Sequence, residues 1–370
     1  MTQTKPKVSD LAQTTRLSVG MPVLFKSNPY QDKLLCHLVD ANIAIDTAEF
    51  RSLFKKIVRR EPIQILHLNW IHTYLKARNS LNSLYRFLTF ILRLLIIRVR
   101  GVSIVWTVHN LSSHEGNYPS GLDRWARRIL ANLSRAIIVH CQVAEEEVKK
   151  KFGVSNAEKI FLIPHGNYID LYENTISRQK SREELGLAET DKVILFMGII
   201  RPYKGIYELI ETFKAVGKSQ NVKLIIAGKL LEAGDAEGIA DAVKNVSNIL
   251  FKPGYVPDRD VQIYMNACDV VVLPYKNILT SGAAILAMSF GKPCVAPSIG
   301  CMEEFIGSKG GFLYEPEQSN GLEIALHQAT ESSFAELEQM GQLNLAKAKS
   351  WDWESVSEQF RCVYEYCIRT

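Results

Sequence analysis

VILFMGIIRPYKGIYELI, residues 193–210, is the segment from which the architecture is most directly predicted. Five apolar residues precede a glycine, a turn with two cations, a second glycine and a run whose apolar positions have helical spacing. This order is typical of a strand, a tight turn and a helix in a parallel α/β sheet. A helix N-terminus has free N–H groups and a positive dipole end, which favour a phosphate. We therefore predict a diphosphate site at Gly198, Arg201, Lys204 and Gly205.

The alternation of apolar runs with amphipathic stretches continues on both sides of this segment. In the second half we predict further strands at Lys223–Ala227, Asn248–Phe251, Val270–Leu273 and Cys294–Ala296. In the first half we predict strands at Ser18–Phe25, Ile63–Leu68, Val102–Val108, Ala136–His140 and Lys159–Ile163. The two series indicate an α/β fold with two Rossmann-like, doubly wound domains that face each other across a cleft.

A polar stretch with little periodicity, Asn167–Leu185, separates the two series, and we interpret it as a linker or hinge. We predict an N-terminal domain at residues 1–170, a C-terminal domain at 171–350 and a final helix at 351–370. The chain of 370 residues is longer than one typical hydrophobic core requires, which is consistent with two domains.

Charge is divided unevenly along the chain. Residues 1–180 carry 26 Lys and Arg against 14 Asp and Glu, whereas the whole chain has a net charge of only +5. A basic first half indicates an anionic neighbour such as a membrane surface or a phosphate-bearing acceptor, and an uneven but functionally neutral surface is the alternative.

The seven cysteines lie mostly in apolar runs and lack paired metal-ligand spacing. They favour buried free thiols in a reducing compartment. Residues 1–15 are polar and lack the apolar core of a signal peptide, so we expect a cytoplasmic protein.

The segment Leu84–Val99 is very apolar, but Arg86, Arg93 and Arg98 interrupt it. We predict that it does not span a membrane, because no uncharged stretch approaches the ~20 residues that a bilayer needs. Two interpretations remain open. In the first, Arg86, Arg93 and Arg100, which recur every seven residues, form a face with Phe87, Phe90, Leu94 and Leu95, and Leu84–Arg100 lies in the interface at the inner side of the cell membrane. In the second, the helix packs on the sheet with its arginines in water.

A second turn with anion-binding character follows the predicted strand Val270–Leu273. Thr280, Ser281 and Gly282 place hydroxyl and N–H groups directly before an apolar helix. An ordinary helix N-cap explains the same residues. An anion-binding role is favoured only because the turn is predicted on the same sheet as Arg201 and Lys204.

Six segments, taken in order, resemble a known family: MGIIRPYKG, LIIAGK, GYV, DVVVLPY, AMSFGKPCVAP and the closing WDWESVSEQF. Together they are similar to the donor half of the two-Rossmann-domain glycosyltransferases, which have the type B fold, close to family four. The resemblance covers residues 192–370 well and the first half more loosely.

The resemblance implies a transferase that moves a sugar from a nucleotide diphosphate to a glycan or polyprenyl-linked acceptor in polysaccharide biosynthesis. It implies that Arg201 and Lys204 hold the diphosphate, that Tyr255 and Val256 border the base, and that residues 280–282 meet phosphate or sugar. The final helix would cross back to the first domain. We favour GDP-mannose, followed by UDP-sugars, and expect no cofactor and no nucleic-acid partner.

Two positions depart from the family pattern. Many members carry two glutamates, eight residues apart, that contact the donor sugar and the ribose, but here those positions hold Ile278 and Leu286. Neither side chain accepts a hydrogen bond from a hydroxyl, so the sugar-binding mode and a retaining outcome do not carry over. The departure favours divergent bacterial polysaccharide transferases, including mannosyltransferases.

Residues of the first half complete the predicted site. WTVHNLSSHEGNYP places His109, Asn110, His114 and Glu115 after a predicted strand. His109 resembles the histidine that family members direct at the donor sugar, and either Glu115 or His114 is the better candidate for a base that deprotonates the acceptor. Further candidates for acceptor or cleft contacts are Asn28, Tyr30, Trp70, His165 and Asn167.

The segment Asp258-Arg259-Asp260 has the DxD form of metal-dependent transferases, but it opens a predicted helix whose dipole the acids would cap. We therefore predict no metal. The alternatives to a transferase are an epimerase or phosphorylase of the same fold, and a non-catalytic nucleotide-sugar-binding or membrane scaffold subunit.

Overall fold

The computed structural model describes residues 16–23, 28–75, 77, 79–112, 120–217, 219, 221–230 and 233–369. These residues form two six-stranded parallel sheets, each flanked by helices. The first sheet consists of β1 (Ser18–Gly20), β2 (Ala44–Asp46), β3 (Ile65–Leu68), β4 (Ser103–Thr107), β5 (Ala136–Val139) and β6 (Ile160–Leu162). The second consists of β7 (Lys192–Met197), β8 (Val222–Gly228), β9 (Ile249–Pro253), β10 (Val270–Val272), β11 (Cys294–Pro297) and β12 (Gly311–Tyr314). The α/β prediction with two Rossmann-like domains is confirmed.

Helices cover the faces of both sheets. Around the first sheet lie α1 (Pro29–Asp40), α2 (Phe50–Val58), α3 (His72–Leu75), α4 (Ser80–Val99), α5 (Ser120–Leu133) and α6 (Gln142–Phe152). The second half has α7 (Arg178–Leu185), α8 (Ile206–Val216), α9 (Ala233–Val243), α10 (Val261–Ala267), α11 (Gly282–Ser289), α12 (Met302–Ile306), α13 (Gly321–Glu331), α14 (Phe334–Lys349) and α15 (Trp353–Arg369).

The strand orders locate the two binding edges. The first sheet has the order β2-β1-β3-β4-β5-β6, and the second has β12-β11-β10-β7-β8-β9. In such sheets ligands bind beyond the carboxyl ends of the strands, where the strand order reverses. The reversal lies between β1 and β3 in the first sheet and between β7 and β10 in the second.

The linker predicted at Asn167–Leu185 is wrong for its second part, because residues 178–185 form α7. Arg182 is fully buried and donates to both carboxylate oxygens of Asp269, at 3.0 and 2.9 Å, just before β10. The polar sequence of α7 therefore belongs to the second domain, held there by a buried ion pair.

The last helix, α15, packs on the first domain. Trp353, Phe360 and Tyr364 lie in the same buried cluster as residues of β1 and α1. The Tyr364 hydroxyl lies 2.7 Å from Nδ1 of His67 in β3. The chain therefore returns to its first half at its end.

A disulfide joins the two halves, between Cys141 at the start of α6 and Cys301 before α12, 160 residues apart. The prediction of free thiols is wrong for this pair, because only the tertiary fold brings the two cysteines together. Beside it, the Glu304 carboxylate accepts hydrogen bonds from the backbone N–H groups of Gln142 and Val143, both at 2.9 Å. These contacts hold the carboxyl edges of the two sheets against each other.

Candidate active site in the cleft

The turn from β7 to α8 has the conformation that its two glycines allow. Gly198 has φ of 137° and Gly205 has φ of 69°, both in the range that favours glycine. A Cβ at Gly205 would lie 2.1 Å from the Pro274 carbonyl oxygen, so the turn passes directly against the end of β10. The backbone N–H of Lys276 donates to the Tyr203 carbonyl at 2.8 Å. The two turns thus pack together at the point where the strand order reverses.

Lys204 lies at this junction with its ammonium group partly enclosed. Its Nζ lies 5.5 Å from the centre of the Tyr275 ring, and it is also close to Gly198, where an added Cβ would be 3.3 Å away. Burial lowers the pKa of Lys204 to about 8, and the positive charge of Arg201 adds to the shift. A diphosphate bound between two such cations would relieve their repulsion.

The second turn has divided roles. Ser281 is buried and caps α11, since its Oγ accepts from the Ala284 N–H at 3.2 Å. Thr280 is partly exposed, with Oγ1 3.7 Å from Cys301 Sγ. A Cβ at Gly282 would lie 3.4 Å from the Tyr168 hydroxyl, so this turn faces the crossing between the domains. Ser281 acts as the ordinary cap, and Thr280 and the N-terminus of α11 border the cleft.

Tyr255 and Val256 follow β9 on the same carboxyl edge. Tyr255 is largely exposed and donates its hydroxyl proton to Asp258 Oδ1 at 3.0 Å. Asp258, Arg259 and Asp260 form a 3₁₀ turn that leads into α10, and Arg259 pairs with Asp260 at 3.4 Å. In the described residues no three His, Cys, Asp or Glu side chains come together as metal ligands.

On the facing edge of the first sheet, His109 follows β4 and is almost fully buried. Its ring stacks on Trp70 with centroids 4.4 Å apart, and its Nε2 lies 3.0 Å from Asn69 Oδ1. With the Asn69 amide in this orientation, Nε2 carries the proton and Nδ1 is the acceptor. The arrangement fixes one tautomer of His109 at the carboxyl end of the strand.

His109 belongs to a buried cluster of four histidines. The centroid distances are 5.2 Å from His109 to His140 and 5.2 Å from His140 to His165. Burial lowers the pKa of His140 to about 4, and those of His67 and His165 to about 3. The pKa of His109 is also lowered well below its usual value, first by burial and then by the other histidines. All four rings are therefore neutral at pH 7.

Besides the Tyr30 hydroxyl, which packs among the histidines and has no partner either, two buried polar atoms at this edge have no hydrogen-bond partner within the described residues: Nε2 of His140 and Nδ2 of Asn69. Unpaired buried polar atoms are costly, and they are accepted where a ligand or water completes the bonding. Sequence reasoning missed both residues. The signal that could have found them is a polar residue at the end of each buried strand.

The other predicted residues of the first half make contacts within the protein. Asn28 caps α1 by accepting from the Gln31 N–H at 3.1 Å, and the Tyr30 side chain is buried under the histidines. His165 is buried in the cluster described above, and the Asn110 carbonyl accepts from Arg127 at 2.7 Å. The predicted bases His114 and Glu115 lie outside the described residues.

Asn167 fixes the crossing between the domains. Its Nδ2 donates to the Ala348 carbonyl at 2.9 Å, and its own carbonyl accepts from Trp353 Nε1 at 2.6 Å. Gly166 has φ of 86°, and a Cβ there would lie 2.5 Å from the Trp353 ring. The Asn167 side-chain nitrogen and backbone carbonyl are therefore both bonded at the crossing between the domains.

Two family models match the chain. The model described as "Glycosyl transferases group 1" matches residues 177–344, and that described as "Glycosyltransferase Family 4" matches residues 37–170. Their limits fall in the two halves of the molecule, with a gap at the crossing.

Characterised relatives are similar over most of the chain. A GDP-mannose:glycolipid 4-beta-D-mannosyltransferase of Xanthomonas campestris pv. campestris is 28% identical over 296 residues, 79% of this chain and 76% of the relative. A D-inositol 3-phosphate glycosyltransferase of Segniliparus rotundus is 26% identical over 286 residues, 73% of this chain and 62% of the relative.

Solved structures share the fold at lower identity. Sucrose-phosphate synthase from Thermosynechococcus elongatus superposes with a TM-score of 0.72 at 16% identity, covering 95% of this chain and 98% of that one. Anabaena HepE, solved in complex with UDP, gives 0.71 at 17% identity, covering 94% of this chain and 99% of that one.

Proposed function

The chain belongs to the two-Rossmann-domain glycosyltransferases of the type B fold, and from that premise we propose that it transfers mannose from GDP-mannose to a lipid-linked glycan. The enzyme would act in polysaccharide biosynthesis at the cytoplasmic face of the cell membrane, without a metal or cofactor. The mannosyltransferase relative, which matches 79% of the chain, supports this donor and acceptor class.

The observation that carries the proposal is the pair of cations at the β7–α8 turn. Lys204 sits between Gly198 and the Tyr275 ring, with Arg201 close enough to contribute to its lowered pKa. When the bond between the anomeric carbon and the diphosphate breaks, negative charge grows on the leaving oxygen. Fixed cations at that position stabilise the charge without reorganisation, which lowers the barrier.

The sugar would be recognised mainly by the first domain. Ile278 and Leu286 pack against the core of the second domain at the positions where glutamates would meet hydroxyls. His109 and Asn69 lie on the facing edge and offer neutral donors and acceptors, and the Trp70 ring offers an apolar face. We assign them to the transferred sugar.

The acceptor hydroxyl must lose a proton as it attacks the anomeric carbon. Burial lowers the pKa of His109 well below its usual value, which makes its ring a weak base, and Asn69 fixes it, so we assign it to binding rather than to proton removal. Glu115 or His114 remains the proposed base. Glu115→Gln should lower kcat strongly while leaving the dissociation constant for GDP unchanged, and a wild-type kcat would remove Glu115 from this role.

A thermal-shift screen against GDP, UDP, ADP, TDP and NAD tests the donor assignment, because a ligand that binds only the folded state raises the midpoint. We expect a shift with GDP and none with NAD. A shift with UDP alone would overturn the GDP assignment. A transfer assay with labelled GDP-mannose and a membrane glycolipid extract then tests the reaction itself.

Arg201→Ala and Lys204→Ala should each reduce the GDP-induced shift. Lys214→Ala is the matched control, because this lysine lies on the outer face of α8 and pairs with Glu211 at 2.7 Å. Equal shifts in all three variants would contradict the assignment of the phosphate site.

A further inference from the structure

Helix α4 exposes a continuous apolar stripe. Seven of its residues are between 42% and 87% exposed, and each lies three or four positions from another of the set, which places them on one helical face: Leu81, Leu84, Tyr85, Leu88, Leu92, Leu95 and Val99. We call this face the α4 stripe. Single exposed apolar residues are ordinary on protein surfaces, but a contiguous row of this length marks a binding surface.

The opposite face of the same helix is in the core. Phe90, Leu94 and Ile97 are buried against the first sheet's domain. Of the two interpretations that the sequence left open, packing on the first domain holds for Phe90 and Leu94, and the outward apolar face consists of other residues. A helix that is apolar on both sides typically packs on the protein core with one face and contacts another apolar surface, such as a lipid bilayer or a protein partner, with the other.

Positive charge borders the stripe. Arg93 lies over the Phe54 ring of α2 at 5.5 Å, and Arg100 donates to the Val58 carbonyl at the end of α2, so the two helices lie side by side. Residues 50–60 and 80–100 include nine Lys and Arg and no Asp or Glu. Lys56 pairs with Asp46 at 2.5 Å, and Glu49 and Glu61 flank α2, so the charge that borders the apolar row is mainly, though not entirely, positive.

We propose that the α4 stripe docks in the plane of an anionic lipid bilayer, with the flanking cations on lipid phosphates. Apolar side chains that enter the acyl boundary and arginines that meet anionic headgroups are the two parts of interfacial helix binding. A second copy of the chain is a poorer occupant, because it would bring two strongly cationic surfaces together. The docking is independent of which sugar the enzyme transfers.

A bilayer-spanning α4 is a different structure. Within the described part of the chain, α4 is the one helix long and apolar enough to cross a membrane, with a mean hydropathy of 1.4 over the best window. Spanning would pull Phe90, Leu94 and Ile97 out of the core and leave the apolar face of the first domain open. Docking parallel to the surface uses the exposed face and keeps the buried one in place.

The test is sedimentation of the purified full chain with vesicles of phosphatidylcholine alone and of phosphatidylcholine with phosphatidylglycerol. We expect binding to the mixed vesicles, weakened by added salt. The double variant Leu88→Gln/Leu92→Gln should lower the partition coefficient by about tenfold or more, since both side chains lose their place in the acyl boundary. A second variant, Lys55→Gln/Arg59→Gln/Arg98→Gln, should remove the preference for phosphatidylglycerol.

The matched control is Ile324→Gln/Leu343→Gln, which changes two exposed apolar residues on α13 and α14 and should bind vesicles as the wild type does. Each variant is compared at an unchanged thermal midpoint, which shows that the fold is intact. Wild-type binding by the stripe variant, or equal binding to neutral and mixed vesicles, would overturn the proposal. Resistance of the bound protein to alkaline carbonate extraction would also overturn it, because it indicates spanning. So would a wild type that forms a dimer and binds no vesicles, if the stripe variant is monomeric.

Discussion

Replacement of Lys204 gives the sharpest test of the donor site, because its lowered pKa predicts a dependence on pH as well as a loss of affinity. In the free protein the pKa of Lys204 is about 8, through burial and the charge of Arg201. Only the protonated form attracts a diphosphate, so affinity should be high below pH 8 and fall as the pH rises through this value. Binding raises the pKa of Lys204, and the complex takes up a proton in that range.

The magnitude follows from the pKa. About nine-tenths of Lys204 is protonated at pH 7 and about one-tenth at pH 9, so the dissociation constant for GDP should rise about tenfold between them. Lys204→Met keeps an unbranched side chain only one heavy atom shorter and removes its charge. A hydrogen bond to a charged group contributes about 1.5–3 kcal/mol, so the variant should bind GDP about 10- to 150-fold more weakly at pH 7.

Isothermal titration calorimetry from pH 7 to pH 9.5 measures both effects, in buffers of different ionisation enthalpy to count the proton taken up. Lys204→Met should show a flat affinity across this range, and Lys214→Met should keep the wild-type slope. A wild-type affinity that does not change between pH 7 and pH 9, or a sloping profile in Lys204→Met, would refute the assignment of Lys204 to the diphosphate.

Three further predictions concern the scaffold. Gly205→Ala should lower stability by about 2–4 kcal/mol in chemical denaturation, because of its positive φ and the Pro274 carbonyl 2.1 Å from the added Cβ. Gly186→Ala has a similar φ but open space around it, so a loss near 1 kcal/mol is expected, and equal losses would argue against the close contact. Arg182→Met should cost about 3–5 kcal/mol, measured in the same way, because it removes one of the two arginines that pair with the buried Asp269 and the donor for four backbone carbonyls. Peptide mapping without reduction should recover Cys141 linked to Cys301, and finding both as free thiols would contradict the structure.

Much of the second domain was predictable because its signals are local. A strand, a glycine, two cations and a second glycine occur within one short segment, and each residue has a role that its own conformation explains. Gly205 has a positive φ and packs directly against the Pro274 carbonyl. The same contact between the two turns places Lys204 beside Tyr275. Local chemistry of this kind can be interpreted from one sequence.

The sequence-based predictions failed where a residue's contact partner is distant in the chain. The sequence RQKSREEL resembles a linker because nearly all of its residues are charged or polar. The residue that pairs with the buried Arg182 is Asp269, 87 residues further on, and it cannot be identified from the local sequence. Cys141 and Cys301 are separated by 160 residues and belong to different halves. For α4, composition indicated an interfacial helix, but only the packing of Phe90 shows which side is free.

The absence of glutamates in the second domain and the neutral histidines in the first suggest that the two domains of the proposed transferase bind different parts of the donor. In the second domain Ile278 and Leu286 pack against the core, and the Ser281 hydroxyl caps α11. The predicted donor-binding groups that remain at this edge carry positive charge or a positive dipole end: Arg201, Lys204 and the N-terminus of α11. Cations bind a diphosphate well but distinguish poorly between sugars, because hydroxyl groups are selected by fixed neutral donors and acceptors. Neutral groups of that kind lie on the facing edge around His109, where burial holds the histidines uncharged. In the proposed transferase, affinity for the donor therefore depends mainly on the second domain and the choice of sugar mainly on the first, so both are complete only when the cleft is assembled.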